Sequence, residues 1–119
     1  MALAELGAVV LDCPDPRALA GFYAEVLGGT VEGDGDWVDL RTPGGQTLAF
    51  QAAPGHVAPE WPAPDRSQQL HLDLSVPDLD AAEKGVLALG AKVLDAGDGS
   101  RSYRVYADPA GHPFCLCAC

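Results

Sequence analysis

Two stretches of the chain, VVLDCPDPRALAGFYAEVLGGTV and HLDLSVPDLDAAEKGVLALGAKV, follow one grammar. Each reads as a short apolar strand, a Pro-Asp pair, an amphipathic helix, a glycine and a further strand. Leu11, Pro14, Asp15 and Ala18 match Leu74, Pro77, Asp78 and Ala81 at one constant offset. Internal repetition constrains the fold before any single element does, because each copy must bury its apolar face by the same plan. Asp15 and Asp78 are placed to accept hydrogen bonds from the free N–H groups of a first helical turn, and Pro16 suits the first helical position. Leu19, Phe22 and Val26 make one apolar stripe; Leu79, Ala82, Val86 and Leu89 make the other. Gly28 and Gly90 fit the left-handed residue that ends many helices.

Short strand patterns separated by turn signals follow each helix. In the first half TVEGD, DWVDLRT and QTLAFQ are divided by Gly-Asp-Gly and Pro-Gly-Gly; in the second AKVLDA, SYRVYAD and HPFCLCA are divided by Gly-Asp-Gly and Asp-Pro-Ala-Gly. The expectation is an α+β chain of two βαβββ modules in a single domain, 1–119. The first module spans 5–55 and the second 68–119, with a proline-rich crossover over 56–67 that suits neither helix nor central strand. The length suffices for a core without disulfide staples.

Charge narrows the partners. Seventeen acidic against seven basic residues give a formal charge of −10, which argues against nucleic acid and anionic membranes and favours cationic partners. No apolar run reaches the length of a membrane span. The opening MALAELGAVVLDC lacks a basic leader, so the expected location is the cytoplasm. Cysteines stand at 13, 115, 117 and 119, the last three alternating as CLCAC, which is not a C-x-x-C spacing. In the cytosol they are expected to be reduced thiols acting as small apolar side chains.

The segment SQQLHLDLSV sorts its side chains by strand face: Leu70, Leu72, Leu74 and Val76 on one side, His71, Asp73 and Ser75 on the other. The leucine face belongs to a core. The polar face has to be satisfied by neighbours, water or a ligand. Gln51 and Cys115 join it as candidate ligand-binding groups, with Trp37, Trp61 and Tyr103 as flat apolar walls. Phe50 falls on the opposite strand face from Gln51 and belongs to the core. His56, in the crossover, and His112, in a turn, are expected at the surface.

A doubled βαβββ unit with DPRALAGFYAEVLGG after the first strand and YADPAGHPF before the last resembles the vicinal oxygen chelate superfamily. This is the glyoxalase, bleomycin-resistance and extradiol-dioxygenase group, and the resemblance is closest to its small bacterial glyoxalase-like proteins. It implies a mixed sheet curled around a cavity. Glyoxalase I enzymes of the group use His or Gln, Glu, His and Glu as metal ligands on cavity-facing strands. Carried over, His71 matches. Ala8 stands at the corresponding place of the first module, Ala49 or Gln51 at its last strand, and Cys115 where the family places a glutamate. One firm ligand of four implies no resident cofactor of the usual kind. A divalent metal stays open through the weaker candidates His71 and Cys115, and a soft-metal set of His71, Asp73 and Cys115 or Cys117 is the alternative.

The expected function is binding of a small molecule without the usual divalent metal, as in bleomycin-resistance-type sequestration, or an activity not yet characterised. The alternative is a glyoxalase I-like lyase or isomerase with a non-standard metal set, or with His71 as general base. The resemblance also implies a homodimer.

Overall fold

The structure, a computed structural model, describes residues 2–59 and 70–118. It divides into two compact units, Met1–His56 and Val57–Cys119. Each is one βαβββ module.

In the first unit, β1 (Val9–Cys13) leads into α1 (Pro16–Leu27), followed by β2 (Thr30–Glu32), β3 (Trp37–Arg41) and β4 (Thr47–Ala52). The sheet order is β1-β4-β3-β2, with β1 parallel to β4 and the other pairs antiparallel. Asp15 caps α1 by accepting from Ala18 N, and Pro16 opens the helix as expected. Gly28 ends it with a positive φ of 77°. The next residue has a second reason to be glycine: a Cβ on Gly29 would lie 2.1 Å from the Arg41 carbonyl oxygen. Leu19, Phe22 and Tyr23 turn from α1 onto the sheet face that carries Leu11, Val38 and Phe50. Tyr23 stacks on Phe50 at 5.9 Å, and Phe22 meets Tyr23 edge-on.

In the second unit, β5 (Leu72–Ser75) leads into α2 (Leu79–Ala88), then β6 (Lys92–Asp95), β7 (Tyr103–Ala107) and β8 (Pro113–Cys117). The order β5-β8-β7-β6 repeats that of the first sheet, with β5 parallel to β8. Asp78 caps α2 through Asp80 N and Ala81 N. The helix lies on the face carrying Phe114, Leu116, Arg104 and Tyr106. Arg104 donates to Asp80 at 2.8 Å, and the Tyr106 hydroxyl donates to Glu83 at 2.8 Å.

Two sequence expectations are corrected here. The apolar stripe of α2 is only partly a core stripe: Val86 is buried, Leu79 and Ala82 are half-buried, and Leu89 is exposed at the helix end. The polar clamp through Arg104 and Tyr106 takes up part of the helix-docking role. His56 and His112 are half-buried instead of exposed. His112 closes a tight turn in which Asp108 accepts from Ala110 N and His112 N.

Both modules match the expected α+β grammar, and both sheets are open, with β1 and β2, or β5 and β6, at their edges. Among the described residues no helix is long and apolar enough to cross a membrane.

Candidate functional site

The site begins with strand alternation in β5. Leu72 and Leu74 turn toward α2, so Asp73 and Ser75 turn away from it. Asp73 is the register partner of Cys115 and Ser75 that of Cys117 on the parallel strand β8. Directly opposed residues share a face, so the helix-free side of the sheet carries Asp73 beside Cys115. His71 lies just ahead of β5, two residues before Asp73, and returns to the same side. The ligand-competent atoms of His71, Asp73 and Cys115 all fall within 4.8 Å of one another. Cys115 is 3% exposed and forms the floor of the group, while His71 and Asp73 form its exposed rim.

The electrostatics follow from that layering. Burial first, and then the neighbouring Asp73 carboxylate, push the Cys115 thiol above its usual range, while the charge on Arg101 pulls the other way. Cys115 is therefore a protonated thiol at neutral pH unless a cation joins it. His71 can donate or accept a hydrogen bond, Asp73 accepts, and the thiol donates weakly.

Next to this group, Tyr103 pairs with Cys117 on β7, and its ring receives the Arg101 guanidinium at 4.4 Å. Arg101 also grips Asp95, with Nη2 to Oδ1 at 3.0 Å and Nη1 to Oδ2 at 3.3 Å. That contact, through the side-chain hydrogen bond first, holds the Asp95 carboxyl below its usual range. The sequence reading missed Arg101 and Asp95. Their signal was faint, an arginine closing the Gly-Asp-Gly-Ser turn ahead of a β-strand. The expected reduced tail is corrected in one respect: Cys117 is disulfide-bonded, which removes it as a thiolate donor, whereas Cys115 is not in a disulfide.

The first module supplies a contrast at equivalent positions. The repeat offset takes His71 and Asp73 to Ala8 and Val10, and strand register takes Cys115 to Ala49, since Val10 pairs with Ala49 as Asp73 pairs with Cys115. The register thus resolves the choice between Ala49 and Gln51: Ala49 is the counterpart of Cys115. None of the three first-module residues carries a donor. A four-ligand shell shared between the modules does not fit these residues. Gln51 and Trp37 are instead register partners on the helix-free face of the first sheet, where Trp37 Nε1 donates to Asp39 at 2.9 Å. The structure brings His71, Asp73, Tyr103 and Cys115 to one sheet face and Gln51 and Trp37 to another. Trp61 lies outside the described residues.

Comparison with known proteins follows the same lines. Residues 8–117 match the family model described as a glyoxalase-like domain. A glyoxalase/bleomycin resistance protein/dioxygenase family enzyme from Burkholderia phytofirmans PsJN has 19% identity and a TM-score of 0.73, over 95% of this chain and 97% of its own. The fosfomycin resistance protein FosX from Listeria monocytogenes has 11% identity and a TM-score of 0.71, over 98% and 93%. A mutant of that Listeria protein, complexed with Mn(II) and 1S,2S-dihydroxypropylphosphonic acid, has 13% identity and a TM-score of 0.68, over 98% and 91%. At these identities the likeness is one of fold. A search of curated proteins finds no match.

Proposed function

The chain belongs to the glyoxalase-like domain family, and from that premise we propose that it binds a small organic molecule on the helix-free face of its second sheet. His71 and Asp73 supply polar contacts at the rim, Cys115 lies beneath them, and Tyr103 offers a flat apolar side. The observation that carries this reading is the convergence of three polar side chains within 4.8 Å in one module, at positions where the other module is wholly apolar. A solvated surface has no need of such grouping, whereas a ligand with one hydrogen-bonding centre does.

The ligand class follows from charge. A net charge of −10, with Arg101 already held by Asp95, favours a cationic aromatic compound. Sequestration of the bleomycin-resistance type fits that chemistry. Gln51 and Trp37 form a second candidate surface on the first module, and a homodimer would double whatever sites the chain holds.

Titration of a library of cationic and anionic aromatic compounds into tag-free protein tests the proposal. Cationic compounds are expected to bind more tightly and to weaken as salt rises. His71→Ala is expected to weaken them roughly tenfold, as loss of a charge-assisted or buried hydrogen bond does. Hits confined to acidic, thioester or phosphorylated compounds would overturn it. Catalytic turnover lost in His71→Ala would replace it with the lyase or isomerase reading, in which His71 serves as base.

A further inference from the structure

We propose that His71, Asp73 and Cys115 form a three-donor site for a zinc-class metal ion, built on the second module alone. The inference rests on the same site as the small-molecule reading but concerns a different occupant. It departs from the four-ligand, two-module arrangement, since Ala8, Val10 and Ala49 supply nothing.

Geometry is the first argument. Zinc bonded at about 2.0–2.3 Å in a tetrahedron sets its donor atoms roughly 3.5 Å apart. The three donor atoms lie within 4.8 Å of one another before any ion draws them in. Asp73 and Cys115 are held by the β5–β8 register. His71 lies just ahead of the ladder, two residues before Asp73.

Donor chemistry is the second argument. One imidazole, one carboxylate and one thiolate make a mixed set that suits zinc and does not suit magnesium or calcium, which take oxygen ligands in larger number. Three protein ligands leave a fourth position open, as catalytic zinc sites do. The exposed rim formed by His71 and Asp73 gives an entry path, and the buried floor protects the sulfur. Metal binding displaces one proton from the thiol to solvent and forms the sulfur–metal bond with no change in oxidation state. The Asp73 carboxylate, which opposes a bare thiolate, then becomes a co-ligand to the cation. Arg101 opposes the cation, but its charge is spread over Asp95 and the Tyr103 ring.

The test is titration of tag-free, metal-stripped protein with Zn(II) against a chromophoric chelator, and with Co(II) followed by absorbance. One equivalent per chain is expected, with a near-ultraviolet thiolate-to-cobalt charge-transfer band. His71→Ala and Asp73→Asn, both at exposed positions, are each expected to lower Zn(II) affinity at least about tenfold. Cys115→Ser is expected to abolish the charge-transfer band. Glu25→Gln on α1 should retain both properties. Far-UV circular dichroism separates loss of metal from loss of fold, and the two rim variants keep the test decisive if Cys115→Ser does not fold. Cobalt binding without the sulfur band, affinity unchanged in the rim variants, or tighter binding of Mg(II) than Zn(II) would each overturn the proposal. Because the titration contains no organic compound, its failure leaves the small-molecule reading standing, and failure of the compound titration on metal-free protein leaves this one standing.

Discussion

Tyr106 is fully buried and donates its hydroxyl to Glu83 at 2.8 Å. Burial first, then the hydrogen bond and charge of Glu83, push its phenol up to about 12 against the opposing pull of Arg104. The unfolded phenol ionises near 10, so between about pH 10 and 12 the unfolded state binds fewer protons than the folded one. The stability that Tyr106 contributes is therefore complete below about pH 10 and lost as pH rises toward 12. Urea unfolding across that range is expected to show a decline that Tyr106→Phe flattens. At neutral pH the same substitution should lower stability by about 1 kcal/mol, the worth of one hydrogen bond. Cys115→Ser places a more strongly hydrated group in a nearly dry position beside Asp73, and thermal melts should record a loss of about 1 kcal/mol. His71→Ala, at an exposed position, should leave the melt within about 0.5 kcal/mol while changing binding.

Among the elements, the two helix caps provide an internal comparison. Asp15 accepts from one backbone N–H, at Ala18, whereas Asp78 accepts from two, at Asp80 and Ala81. Replacement of either by alanine should lower stability by about 1 kcal/mol, and Asp78→Ala should be the more damaging within its own module. α1 buries Leu19, Phe22 and Tyr23, but α2 buries only Val86 fully, so α2 depends more on its start and its polar clamp. Chemical denaturation of the two variants checks the order. The β7–β8 turn is a further point of leverage. Asp108, 3% exposed, gathers Ala110 N and His112 N, and Gly111 has a φ of 92° with no room for a Cβ against Ala58. Asp108→Ala and Gly111→Ala should each destabilise by about 2 kcal/mol, the first by removing the acceptor that gathers two part-buried backbone N–H groups and the second by strain and collision. Because this turn leads into β8, either change is also expected to weaken binding that depends on Cys115, as ligand or metal titration of the folded variant would show.

For the whole molecule, a homodimer is the expected assembly, and light scattering at micromolar concentration should give twice the 12.3 kDa chain mass. A particle of single-chain mass would refute it. The acidic balance acts at this scale as well. A charge of −10 sets a field that draws cations from a distance, so binding of a cationic ligand should slow with added salt chiefly in its association rate.

The repeated grammar was sufficient for the two βαβββ modules, both caps, the glycine at the end of α1 and the pairing of leucines with one face of β5. These are local features, governed by alternation, capping and backbone freedom, and they are encoded within a few residues of where they act. The face shared by His71 and Asp73 was legible for the same reason. Their partnership with Cys115 was legible only as one option beside Cys117, because the choice depends on how β5 aligns with a strand some forty positions later, and only the ladder assigns Cys115 to Asp73 and Ala49 to Val10. Arg101 and Asp95 escaped notice because a turn and the offset of β6 bring them together, not a spacing in the chain. The weak burial of α2 escaped it too, since an apolar stripe states which side can be buried and tertiary packing decides how much of it is. Sequence alone determined the modules and the polar face; strand register decided which side chains meet on it, because contacts between distant residues exist only once the sheet has formed.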